Sequence, residues 1–227
     1  MRDKKKSIHH ITRHIWLRLL YKSLHPYLPP LRYGKHQICR NVKEKEFAAK
    51  TMTKIDEILQ SKIKPKEKQT KLVEAVVSGK IPVKEFMAFF ESAKDTDKGT
   101  CADVMKHVSA QKPALLAPYI DTLIEYVNFE LPRVKWGVPE AIGNMAKDYP
   151  DKVANATANL LKNTTDDKIN TTVIKWCAAF ALAEIAKHNS KTRKQLLPIF
   201  EKIVKKEQNT GVKNVYVKAL KIIGKEK

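Results

Sequence analysis

Residues 134–146 read VKWGVPEAIGNMA, and residues 174–186 read IKWCAAFALAEIA. Laid over one another at an offset of 40, they match Val134 with Ile174, Lys135 with Lys175, Trp136 with Trp176, Ala141 with Ala181, Ile142 with Leu182 and Ala146 with Ala186. The stretch VKNVYVKALKII, Val212 to Ile223, is a third copy, placing Ala219 and Leu220 opposite Ala181 and Leu182 at an offset of 38. A fourth, weaker copy places Val104 and Val108 opposite Ile142 and Ala146, again at 38. Within each copy apolar residues recur three and four positions apart, the period of one helical face. The copies are rich in small residues (Ala141, Gly143, Ala146, Ala178, Ala179, Ala181, Ala183 and Ala186), which allow helix axes to approach closely.

Between the copies the apolar period predicts partner helices near 113–127, 150–163 and 191–206. The clearest stripe is Leu196, Leu197, Phe200, Ile203 and Val204. A period of about 40 residues with two helices per unit is the sequence signature of a helical-pair solenoid. One pair cannot bury its apolar stripe alone, whereas stacked pairs share a continuous core. The chain here resembles the HEAT-repeat family, in whose second helix a Val or Ile is followed by Lys, a spacer, Ala-Ile/Leu and Ile/Met-Ala. The resemblance covers roughly residues 98–227. It implies an all-α fold, a right-handed α-α superhelix of antiparallel helix pairs, with a concave face built from the second helices.

Upstream, residues 52–97 form an N-terminal helical segment, with helices predicted near 53–62, 65–78 and 82–93. Ser78-Gly79-Lys80-Ile81-Pro82 supplies turn chemistry, and Pro82 suits a first helical turn. Asp95-Thr-Asp-Lys-Gly-Thr100 reads as a loop. Residues 1–51 are different: they hold five of the seven histidines, prolines at 26, 29 and 30, and no lasting helical period before Asn41. They read as a basic, disordered extension, either a targeting or nucleic-acid-binding arm or sequence ahead of a true start at Met52, which opens a well-formed helical pattern.

The formal charge of the 227 residues is +20, and it sits at the two ends. Residues 1–51 carry 13 Lys/Arg against 3 Asp/Glu, residues 52–186 carry 19 against 18, and residues 187–227 carry 12 against 3. An acidic partner is therefore expected at the ends rather than along the balanced middle. Cys39, Cys101 and Cys177 stand singly, which argues against a disulfide framework or a zinc site and fits a reducing cytoplasm. The most apolar early stretch, Ile15 to Tyr21, is interrupted by Arg18 and is too short to span a membrane.

No phosphate loop, dinucleotide fingerprint, nucleophile elbow or zinc-protease helix occurs, and seven glycines are too few for a phosphate cradle. No cofactor is expected and no catalytic set is visible. His10 and His14, with His9 adjacent, have the spacing for metal on a helix but lack a third fixed ligand and read as solvated. The candidate binding residues are those that recur. Trp136 and Trp176 are read either as aromatic platforms or as packing between repeats. Lys135, Lys175 and Lys213 form either a ladder for phosphates or acids, or a set of structural bonds to neighbouring loops. In the last helix Lys218 and Lys221, with Lys225, occupy the side opposite the apolar stripe, either as a partner surface or as a solubilising cap.

These features favour a non-enzymatic adaptor that binds a protein segment, an acidic one in particular, on its concave face. The alternative is a DNA-binding protein. The chain's architecture is also similar to that of the HEAT-like alkylpurine DNA glycosylases, which implies DNA held on a basic concave face with tryptophans and an acid at the lesion. Trp136 followed at four residues by Glu140 matches part of that arrangement, with Pro139 between them, while the family's tryptophan-aspartate signature is not reproduced. A HEAT-type lyase or accessory factor acting on a cofactor-bearing protein is a third reading.

Overall fold

In the computed structural model, which describes residues 52–165 and 170–225, Thr53 starts the first helix with a reciprocal cap. Its hydroxyl accepts from the Asp56 amide at 3.2 Å, and its own amide donates to the Asp56 carboxylate at 3.1 Å. Two of the donors that any helix N-terminus leaves open are thereby satisfied. Helix α1 (Lys54–Gln60) leads to α2 (Pro65–Val77), α3 (Val83–Ser92) and α4 (Asp95–Gln111). Gly79, at φ +77°, makes the turn between α2 and α3, a backbone conformation that costs a residue with a Cβ about 1 kcal/mol or more. Pro82 precedes α3 as its N-cap rather than lying in its first turn.

After α4 come two short 3-10 turns, Pro113–Leu115 and Ala117–Tyr119, and then α5 (Ile120–Tyr126), α6 (Pro132–Asn144), α7 (Pro150–Ala154), α8 (Thr157–Thr165), α9 (Thr172–His188), α10 (Ser190–Lys206) and α11 (Thr210–Lys225). The described residues contain no strand. Helices α4, α6, α9 and α11 follow one another in contact, α4 on α6, α6 on α9 and α9 on α11. The intervening segments pack on this row: α5 on α6, α7 and α8 on α9, and α10 on both α9 and α11. A single apolar core runs through it from Ile55 to Ile223.

The repeat register holds at the level of burial. Val134, Ile174 and Val212 are all buried, as are Ala141, Ala181 and Ala219, and so are Val104, Val108, Ile142, Ala146, Leu182 and Ala186. Of the small residues expected to admit close approach, Gly143 sits where a Cβ would lie 2.7 Å from Phe180 Cε1; Gly137, outside that set, sits where one would lie 2.4 Å from the Ala102 carbonyl oxygen. Asparagines tie helical segments 36 to 38 residues apart to one another. Asn144 donates to the Lys106 carbonyl at 3.0 Å, Asn163 to the Val127 carbonyl at 3.0 Å, and Asn189 to Asp151 Oδ1 at 3.0 Å. The Val127 carbonyl, at the C-cap of α5, is one that the helix end leaves without an intrahelical partner.

Besides the place of Pro82, three sequence expectations are corrected. Asp95–Thr100 is not a loop but the first turns of α4; Asp95 and Asp97 are favoured at the positive end of the helix, and Gly99 leaves room for Arg133, whose Cβ would be 3.0 Å from a Cβ there. The helix expected over 113–127 shrinks to α5, because Pro113 and Pro118 lack amide protons and hold the chain in 3-10 turns. The helix expected over 150–163 is split into α7 and α8. The readings of residues 1–51, with Cys39, His9, His10 and His14, lie outside the described residues.

Candidate interaction surface

Trp176 and Trp136 occupy matching repeat positions but different surroundings. Trp176, on the first half of α9, is 38% exposed, and its ring stacks on Phe180 one turn later with centroids 5.9 Å apart and planes within 5° of parallel. Phe180 in turn fills the notch that Gly143 leaves on α6. Packing therefore fixes the lower ring, and stacking presents the upper one to solvent. Trp136 is half-buried, and its indole N–H is buried without a hydrogen-bond partner among the described residues. Such a donor is costly, by about 1–3 kcal/mol.

Trp176 and Phe180 open onto a groove of about 240 Å³ between α9 and α11. Its floor is Trp176, Phe180, Ala183, Val215 and Ala219, and its rim is Glu184, Lys187, Gly211, Asn214 and Lys218. Lys187 is engaged by Glu184 at 2.5 Å, which leaves Lys218 as the more available cation on the rim. Lys221 and Lys225 are also exposed on α11, a helix without a single acid. Over residues 190–225 the count is 10 Lys/Arg against Glu201 and Glu207, a net of +8.

The lysine ladder is not uniform. Lys175 pairs with Glu207 Oε2 at 3.2 Å, with both side chains about nine-tenths buried, so it joins α9 to the segment leading into α11. Lys135 and Lys213 are half-exposed. Of the seven residues singled out, Trp176 and Lys218 line one groove, Lys221 lies one helical turn beyond Lys218, and Lys175 faces a different cavity bounded by Lys202, Lys206 and Glu207.

Between α4, α6 and α9 lies a polar chain that repeat matching does not reveal. Glu140 accepts from Lys106 Nζ at 3.5 Å and from the Cys177 thiol at 3.4 Å. Helix α6 continues past Pro139, so Trp136 and Glu140 lie one helical turn apart, but the Glu140 carboxylate is held from both sides. Among the described residues no cluster of three or more His, Cys, Asp or Glu could hold a metal ion, and no helix is long and apolar enough to cross a membrane. No protein-family model matches the chain, nor does any curated protein or solved structure.

Both described cysteines are buried. Burial, with Asp97 nearby, pushes the Cys101 thiol from 9.0 up to about 12, and burial together with the Glu140 carboxylate raises Cys177. Above pH 9 the unfolded chain releases these protons while the native chain keeps them, so stability is present below 9 and falls as pH rises towards 12. The expected loss is on the order of 1 kcal/mol per pH unit for each thiol. Urea midpoints between pH about 8 and 10.5 should therefore fall more steeply for the parent than for a Cys101→Ala/Cys177→Ala variant. Equal slopes would show that these thiols do not set the alkaline limit.

Proposed function

We propose that this chain is a non-enzymatic adaptor, a right-handed superhelix of antiparallel helix pairs resembling HEAT repeats, that binds an acidic segment of a protein partner at the α9–α11 end of its second-helix face. The observation that carries this reading is the exposed Trp176–Phe180 stack beside a helix whose charges are all positive. Interface anchors are commonly aromatic, and a single-sign rim selects partners of the opposite sign. The anchoring energy comes from burying the indole, and the lysines steer and orient.

The competing reading is duplex DNA, supported by the same net positive charge. It demands several lysines free to meet phosphates along one track, and the central one, Lys175, is committed to Glu207. The two readings separate in a titration of the full chain, read by fluorescence anisotropy, with an acidic peptide carrying one Trp or Phe and with a duplex of about 20 base pairs, from about 50 to 200 mM salt. At about 150 mM salt the peptide is expected to bind at least about tenfold tighter than the duplex, and Trp176→Ala should abolish that preference. Tight duplex binding that collapses steeply with salt, with no peptide binding, would replace the adaptor with a DNA-binding protein.

A further inference from the structure

We infer that the element seated between α9 and α11 is an acidic amphipathic helix, which inserts one bulky apolar side chain against Trp176 and sets carboxylates along Lys218, Lys221 and Lys225. This rests on the adaptor reading and specifies the partner's conformation and residue pattern. The first reason is the floor of the groove. Apart from the first turn of α11, where Gly211 lies on the rim, it is built from side chains of two helices whose backbones are internally hydrogen-bonded, and the Trp176 indole N–H is the one polar group among the floor side chains. An extended peptide laid there would lose water from its main-chain N–H and C=O groups without finding partners for most of them, which disfavours binding. A helix satisfies its own backbone and presents only side chains, so the groove favours a helical occupant.

The second reason is spacing. Lys218, Lys221 and Lys225 follow one another three and four residues apart and share one stripe of α11, and Ile222 beside them is 43% exposed. Carboxylates three and four apart on a partner helix lying along α11 present the matching stripe, with an apolar stripe alongside for Trp176 and Ile222. The 16 residues of α11 span roughly 24 Å, which sets the length of partner helix that the surface can engage. The third reason is size. A space of about 240 Å³ admits one large side chain rather than a row of them, so a single anchor is expected with a charged flank.

The test is a selection of unbiased displayed peptides of about 16 residues on the full chain, followed by affinity measurement of the enriched sequences. Enriched peptides should carry one Leu, Phe or Trp together with Asp or Glu at three- and four-residue spacing, and should gain helical circular dichroism on binding. A proline placed mid-peptide should weaken binding at least about tenfold. Trp176→Ala and the double change Lys218→Glu/Lys221→Glu should each weaken it at least about tenfold, the lysine variant in a chain that melts like the parent because both lysines are exposed, so that it carries the test even where loss of the Trp176–Phe180 stack lowers the melting temperature of the tryptophan variant. Lys64→Glu/Lys71→Glu, at the N-cap and within α2, the same change in net charge elsewhere, should leave affinity unaltered. Enriched peptides that are acidic but proline-tolerant and non-helical would overturn the helical partner and leave the adaptor standing. No enrichment, with duplex or single-stranded nucleic acid retained instead, would overturn both.

Discussion

Lys98→Ala is expected to destabilise the chain by about 3–5 kcal/mol, the largest effect of any single truncation considered. Lys98 is only 6% exposed, and its ammonium sits over three rings, 5.5 Å from the Phe90 centroid, 5.3 Å from that of Tyr126 and 5.1 Å from that of Phe129. It also donates to the Glu91 carbonyl at 2.9 Å. The rings belong to α3, α5 and the turn after α5, so a single cation draws three segments onto the start of α4. Truncation removes the ring contacts, leaves a cavity and deprives the Glu91 carbonyl of its donor. Lys98→Met separates the contributions, since it keeps most of the volume and loses the charge. A desolvated cation over aromatic faces contributes about 2 kcal/mol or more, so the Met variant should lose roughly that amount in urea denaturation. A Met variant as stable as the parent would show that filling space, and not charge, holds the cluster.

The second large effect is at Gly137, where Ala should cost about 2–3 kcal/mol and lower the melting temperature by roughly 5–10 °C. Helix propensity alone points the other way, because Ala gains about 1 kcal/mol over Gly in a helix interior. The packing reverses that sign. The added Cβ would lie 2.4 Å from the Ala102 oxygen and 2.5 Å from its carbonyl carbon, and both are backbone atoms of α4 that cannot swing aside. Separating α4 from α6 is the only relief, and it disturbs the longest shared stretch of the core. Gly224→Ala on α11 is the control, because nothing lies within 4 Å of its Cβ position and the propensity gain is unopposed. Calorimetry should find Gly224→Ala at or above the parent and Gly137→Ala well below it. A Gly137→Ala chain that melts with the parent would mean that α4 and α6 are not in such close contact.

The failures of sequence reading share one cause, which Lys98 illustrates. Within Asp95–Thr100, Gly and two aspartates read as turn chemistry. That reading weighs local preferences, whereas in the helix aromatic faces from α3 and α5 converge on Lys98 and Gly99 lies under Arg133. The same holds for Lys175. Its repeat spacing with Lys135 and Lys213 is legible, but the partner that commits it, Glu207, is 32 residues away and obeys no repeat. Cys177 and Glu140 likewise meet across 37 residues, and nothing in either neighbourhood announces the other.

By itself the sequence determined the all-helical class, the period of about 40 residues, the small-residue faces and the basic ends, because each of these is a matter of spacing or composition along the chain. Which tryptophan stays available, which lysine is spent on an internal pair and where a groove opens were decided only by tertiary structure. Trp136 and Trp176 stand at matching positions of the repeat, each directly after a lysine, yet one indole N–H is buried and the other ring is held open on Phe180 over Gly143. Exposure is a property of the neighbours a residue meets across the fold, and equivalent positions in a repeat have different neighbours as soon as the next unit differs.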